Sequence, residues 1–184
     1  MSSQLSPMLS VIIPTLNEAD NIGPTLDSIS QLSSDVEVLL VDGGSTDRTI
    51  EIARTYGAKV ITSDRGRGLQ MHIGACAALG DVLWFLHADT CVPADAIDLI
   101  VAGLHDKLVI AGNFQVRFAG EQRSARFMTW LYPQLQRLGL WYGDSAIFVR
   151  RKAYFIVGGF KPFPIFEDLE LLCELMKLGK FVHL

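Results

Sequence analysis

His87 and Asp89 stand two residues apart at the end of an unbroken apolar run, Val82 to Leu86. Such a run is how a fully buried central strand reads when it delivers polar side chains to a cleft. On an extended strand an imidazole and a carboxylate at that spacing face the same way, which makes this strand end the provisional centre of chemistry. Three more acids, Glu18, Asp42 and Asp168, fall at or just beyond other predicted strand ends. In a parallel sheet those ends lie along one rim, so carboxylates distant in sequence would line one cleft. Taken singly, each acid has an ordinary structural role. Glu18 and Asp47 start helices, Asp42 closes a strand before a turn, and Glu167-Asp168 opens a helix whose dipole favours negative charge. The order of the whole set is what points to a site.

The elements that must position these groups alternate. Leu9 to Ile13 reads as a buried first strand closed by Pro14, and Glu18 to about Leu32 as an amphipathic helix with Asn17 as its N-cap. Val36 to Val41 is a second strand, ending in Asp42-Gly-Gly-Ser-Thr-Asp47, whose hydroxyls and final carboxylate cap a helix that stops at Gly57. A third strand, Lys59 to Thr62, leads through Ser63-Asp64-Arg65-Gly66-Arg67-Gly68 into a helix over Leu69 to Leu79. That helix is rich in small residues, as close packing on a sheet requires. Three strand-helix units in succession predict a doubly wound, mostly parallel α/β sheet with helices on both faces.

Beyond Asp89 the pattern loosens. Helices are expected at Pro93 to Leu104, Gln122 to Leu138 and Leu169 to Leu178, and strands at Val109 to Phe118 and Ser145 to Val149. Phe181 to Leu184 reads as a strand entering the sheet, either closing the domain or marking a shortened form of a longer chain. Residues 1–8 read as a disordered leader and 9–184 as one domain, with 9–92 a nucleotide-binding half and 93–184 an irregular half that would meet another substrate, the acceptor half in the resemblance described below.

Composition narrows the class of function. A chain of 184 residues with net charge -4 lacks the basic face of a general nucleic-acid binder. Three widely spaced cysteines, Cys76, Cys91 and Cys173, lack metal or redox spacing and are expected to be reduced core residues. No apolar run spans a bilayer and no secretory pattern opens the chain, so a cytoplasmic location is expected, with peripheral association at the membrane's inner face left open. Arg150-Arg151-Lys152 is expected to be a solvated face, with a phosphate contact or a membrane-surface patch as alternatives. The turn after the first strand has no Gly-x-Gly-x-x-Gly, and neither a P-loop nor a Gly-x-Ser-x-Gly elbow is present.

Five segments together carry a resemblance. Val-Ile-Ile-Pro-Thr-Leu-Asn-Glu (11–18), Leu-Leu-Val-Asp-Gly-Gly-Ser-Thr-Asp (39–47), the loop and helix from Arg65 to Gly74, Phe-Leu-His-Ala-Asp (85–89) and Glu-Asp-Leu-Glu-Leu (167–171) resemble the family-2 glycosyltransferases, in family order. The His-Ala-Asp form, with Tyr142-Gly-Asp-Ser-Ala-Ile-Phe-Val-Arg150, is most similar to a small bacterial subgroup associated with arsenosugar-type biosynthesis.

The resemblance implies the A-type glycosyltransferase (GT-A) fold and an inverting transfer from a nucleotide-diphosphate sugar, a UDP-sugar by expectation, to an acceptor hydroxyl. It implies Mg2+ or Mn2+, because departure of a diphosphate builds negative charge that a divalent cation offsets. By the same resemblance Asp42 holds the nucleoside in a pocket shaped by Pro14 and Glu18, while Asp64 and Arg67 meet base or diphosphate. Asp89 is the metal-binding acid. His87 replaces the first acid of the family's DXD motif, which lowers the charge of the site. Asp168 corresponds to the general base, with Glu167 in support, and Trp141, Tyr142 and Asp144 fall on the acceptor side. The acceptor is left open among a small molecule, a lipid-linked sugar and a glycan, as is the oligomeric state. Two other readings stand beside this one, a sugar-nucleotide-binding subunit without turnover and a sugar-phosphate nucleotidyltransferase. The latter would carry its glycine-rich basic loop after the first strand, whereas Arg65-Gly-Arg-Gly follows the third.

Overall fold

The computed structural model describes residues 9–32, 36–115, 146–161 and 167–184. The expected leader, the helix over 122–138 and the acceptor-side residues Trp141, Tyr142 and Asp144 lie outside the described residues. The strands are β1 (Leu9–Thr15), β2 (Val36–Asp42), β3 (Lys59–Thr62), β4 (Val82–Phe85), β5 (Val109–Asn113), β6 (Phe148–Arg150) and β7 (Lys180–His183). Between them run α1 (Ile22–Ser30), α2 (Thr49–Thr55), α3 (Arg67–Ala77), α4 (Ala96–Gly103), α5 (Arg151–Ile156) and α6 (Glu167–Leu178).

The described strands form one sheet in the order β3-β2-β1-β4-β6-β5-β7. All neighbours pair parallel except β6, which runs antiparallel to both β4 and β5. The carboxyl ends of β1 to β5 and β7 therefore share one rim, and β6 enters from it. Hydrophobic periodicity encodes burial and not strand direction, so the reversal of β6 had no counterpart in the sequence pattern.

Alternation along the strands builds the two layers of core. Leu9, Val11 and Ile13 of β1 and Val82 and Trp84 of β4 pack with Ile22, Leu26 and Ile29 of α1 and Ile100 of α4. Ile12, Leu83 and Phe85 pack on the opposite face with Met71 and Ala75 of α3, Tyr154 of α5 and Leu171 and Leu175 of α6. A strand buried on both faces must be apolar at every position, which explains the continuous run from Val82. Each such side chain contributes about 1.5–3 kcal/mol by leaving water.

The small residues of α3 meet the expectation set for them. A Cβ on Gly74 would stand 2.4 Å from Ile12 Cγ2 and 3.0 Å from Val41 Cγ2, so only glycine lets the helix reach the sheet there.

Several local expectations are corrected. Helix α1 starts at Ile22 and not Glu18, because Asn17 sits at φ 56° and uses its side chain on the neighbouring loop. The three cysteines are exposed rather than buried in the core. Helix α3 buries Met71, Gly74 and Ala75, and α6 buries Leu171, Leu172 and Leu175, which turns Cys76 and Cys173 outward. Helix α5 arises where only a basic run was read. Within that run Arg150 is structural: its guanidinium donates to the carbonyls of Val109 (2.9 Å) and Leu104 (2.5 Å), joining β5 to the end of α4.

Because Ile12 is fully buried, Gly74→Val should cost about 3 kcal/mol as overpacking. The expected result in urea unfolding is a lower midpoint with an unchanged slope.

Candidate active site

The rim begins at the tips of β1 and β2. Asp42 has 0% exposure, and both of its oxygens are engaged. Oδ2 accepts from the N–H groups of Gly44 and Ser45, both at 2.8 Å, and Oδ1 accepts from the Ser45 and Thr15 hydroxyls. A carboxylate removed from water needs this saturation, and in providing it Asp42 moulds the Gly43–Ser45 turn.

That turn is latched to the loop after β1. Asn17 N–H donates to Ser45 Oγ (2.8 Å), Thr46 N–H to Asn17 Oδ1 (2.8 Å), Glu18 N–H to Thr49 Oγ1 (2.8 Å) and Ala19 N–H to Asp47 Oδ2 (3.0 Å). Asp47 also accepts from Thr49 N–H at 3.0 Å, so it serves the first turn of α2 as expected while holding the loop opposite. These hydrogen bonds keep its carboxyl below the ordinary aspartate value, the Thr49 hydroxyl contributing most. Glu18 is half-buried, with Oε2 accepting from Asn21 Nδ2 at 2.8 Å, and Pro14 is half-buried at the end of β1.

Gln70 was not singled out by its sequence position, yet it joins this rim to α3. It is 5% exposed, and its Nε2 donates to the carbonyls of Thr15 and Val41, both at 2.8 Å. Glutamine inside a helix carries no sequence signal for such a role.

The tip of β4 differs from expectation. The strand ends at Phe85, and Ala88 and Asp89 form a turn in which Thr90 N–H donates to His87 O at 3.2 Å. The alternation used to align His87 with Asp89 therefore does not extend to them. His87 is half-buried and Asp89 exposed, and Thr25 Oγ1 donates to the intervening Ala88 carbonyl at 2.7 Å. Among the described residues no three His, Cys, Asp or Glu side chains gather into a metal cage.

The third assembly joins residues a hundred positions apart. Arg67, at the start of α3, reaches the start of α6: Nε donates to Glu167 Oε1 at 2.5 Å and Nη2 to Asp168 Oδ2 at 2.9 Å. The two carboxylate side chains are only 3% and 4% exposed, against 40% for Arg67. The loop can approach so closely because Gly68 has no side chain; a Cβ there would stand 3.1 Å from Lys161 O and 3.3 Å from Glu167 Cγ. Asp64, two residues before Gly66, is exposed in the same loop.

A buttress stands behind α3. Tyr154 is fully buried, accepts from Phe160 N–H at 3.1 Å and lies 3.0 Å from His72 Nδ1. Burial pushes its phenol far above the ordinary tyrosine value, so it stays neutral and serves as a hydrogen-bonding strut.

Comparison with known proteins shows the family and the fold. The family model for glycosyl transferase family 2 matches residues 10–163. A PGL/p-HBAD biosynthesis glycosyltransferase of Mycobacterium bovis is 41% identical over 106 residues, covering 53% of this chain and 41% of that protein. Among solved structures, a mannosyltransferase from Pyrobaculum calidifontis in complex with GDP-Man and Mn2+ superposes with TM-score 0.76 at 22% identity, over 98% of this chain and 55% of that one. Glucosyl-3-phosphoglycerate synthase from Mycobacterium tuberculosis, in complex with Mn2+, UDP and glucosyl-3-phosphoglycerate, gives 0.71 at 22% identity, over 96% and 69%. At that identity these two likenesses speak to the fold, which is the expected GT-A fold. The chain thus spans about two fifths of the mycobacterial relative's length.

The joint made by Gln70 is open to test. Gln70→Leu removes both donated hydrogen bonds and should lower stability by about 1–3 kcal/mol, read as a shift in chemical denaturation. The family match covers most of the chain, residues 10–163, and the chain belongs to glycosyl transferase family 2.

Proposed function

We propose that this protein is an inverting glycosyltransferase that moves a sugar from a nucleotide-diphosphate sugar, a UDP-sugar, to an acceptor hydroxyl. The observation that carries the reading is the Arg67–Asp168 hydrogen bond, because it couples the loop assigned to the donor with the acid assigned to proton transfer across 101 residues. Nucleotide, or nucleotide sugar, with Mn2+ in the two structural neighbours supports the donor class.

In this reading the latched turns at the tips of β1 and β2 receive the nucleoside. Asp42 acts by holding Gly43 to Ser45 in shape, with Pro14 and Glu18 beside them. Asp64 in the β3–α3 loop and Arg67 at the start of α3 are assigned to the base or diphosphate. Asp168 accepts the proton of the acceptor hydroxyl as its oxygen attacks the anomeric carbon, and one in-line displacement inverts the configuration. Glu167 supports that base, and Trp141, Tyr142 and Asp144 are assigned to the acceptor.

Asp89 with His87 fits a divalent cation of the Mg2+ or Mn2+ kind. One carboxylate and one imidazole leave coordination sites for phosphate oxygens, the usual arrangement where substrate completes the shell. When bound, the ion would offset the charge that develops on the leaving diphosphate. Membership of the arsenosugar-type subgroup is part of the proposal and rests on the His-Ala-Asp form at 87–89. No helix among the described residues is long and apolar enough to cross a membrane. A cytoplasmic site of action, with peripheral contact at the membrane's inner face, is proposed alongside.

A positioned base is worth roughly 10²–10⁴ in rate. Asp168→Asn should therefore lose turnover by about that factor, measured as release of nucleoside diphosphate, while donor affinity stays within a few-fold. Near-normal turnover in the variant would refute Asp168 as the base.

A further inference from the structure

We propose that Arg67 is the positioning residue for the Asp168 carboxylate, acting through one guanidinium shared with Glu167, and not merely a donor contact. The inference rests on the reading of Asp168 as the base and assigns that base an orienting partner 101 residues earlier in the chain.

Three observations carry it. The guanidinium addresses two different carboxylates through two different nitrogens, Nε to Glu167 and Nη2 to Asp168. That geometry uses the planar fork of arginine, which a lysine ammonium on a flexible stem does not reproduce. Both acids are almost completely out of water, so their orientations are set by protein groups rather than by solvent. Glu167 Oε2 is buried without a hydrogen-bond partner among the described residues. Leaving that oxygen unmet is costly, and it marks Glu167 as an acid held in place for its contact to Arg67 rather than for full satisfaction of its own carboxylate.

The consequence is mechanical. A base must present its oxygen to the acceptor hydroxyl, and misplacement on the order of 1 Å can cost about 10² in rate. Gly68 seats the loop against Glu167, so the position of Arg67 is itself fixed by contact with α6. A residue that only gripped diphosphate would act on donor affinity. One that orients Asp168 acts on turnover.

The test is a double-mutant cycle on turnover with water as acceptor. The probe is whichever member of a UDP- and GDP-sugar panel the wild type hydrolyses fastest with Mn2+, and nucleoside diphosphate binding is followed by calorimetry. Arg67→Gln is expected to lower saturated turnover by about 10², a larger factor than any accompanying loss of nucleotide affinity. Arg67→Lys should recover only part of the loss. Adding Arg67→Gln to Asp168→Asn should cost little beyond Asp168→Asn alone, because residues that act as a unit are not additive. Retained nucleotide binding certifies that the variants fold; should Arg67→Gln fail to fold, Arg67→Lys carries the same comparison. Weakened nucleotide binding with unchanged saturated turnover, or losses that multiply in the double variant, would overturn the assignment. If Asp168→Asn alone has no effect, the base reading itself falls and takes this proposal with it. Loss in Asp168→Asn beside full turnover in Arg67→Gln removes only the role of Arg67.

Discussion

Two adjacent carboxylates, Glu167 and Asp168, lie almost completely out of water, and both contact the Arg67 guanidinium. Burying like charges side by side is expensive, and three features of the chain offset the cost. The acids occupy the first turn of α6, where the helix dipole favours them. Arg67 donates to both, and the absence of a side chain at Gly68 lets its loop close on them. Breaking a fully buried pair costs about 3–5 kcal/mol; here the partly exposed guanidinium makes the cost smaller. The interaction joins α3 to α6, so two helices a hundred residues apart in sequence are registered against each other at the rim.

The remainder of the rim follows the same logic of satisfied polar groups on a rigid apolar base. Asp42 moulds one turn, Asn17 and Asp47 latch it to the next, and Gln70 fastens both strand ends to α3. None of these contacts is strong alone. Together they preorganise a polar edge at the carboxyl ends of β1 and β2, which is where open α/β sheets bind ligands. His87 and Asp89 sit on a turn rather than on the strand, so a bound ion or phosphate would complete their arrangement rather than meet a finished cage.

Strands β1 and β4 were legible because an apolar run ending in polar residues is what a strand buried on both faces requires, and the small-residue character of α3 was legible because close packing demands it. The start of α1 was misread for a physical reason: Asn17 has the chemistry of an N-cap but spends it on Thr46, across a gap of 29 residues. The direction of β6 was invisible, since alternation carries no polarity. The Arg67 contacts and the Gln70 joint were invisible too, because pairings across the fold leave no local pattern. Arg150 illustrates the opposite error, a basic run taken for surface in which one member turns inward to two carbonyls. What the resemblance supplied was the assignment of roles, which no local pattern carries.

The central claim is that this rim binds a sugar nucleotide with the help of a divalent cation. Thermal unfolding of the protein with a panel of UDP- and GDP-sugars, with and without Mn2+, tests it most directly, because a ligand at 100 times its Kd stabilises the native state by about 2.7 kcal/mol. The predicted result is a clear rise in Tm for at least one sugar nucleotide, larger when Mn2+ is present. A flat response to every nucleotide in both conditions would contradict it.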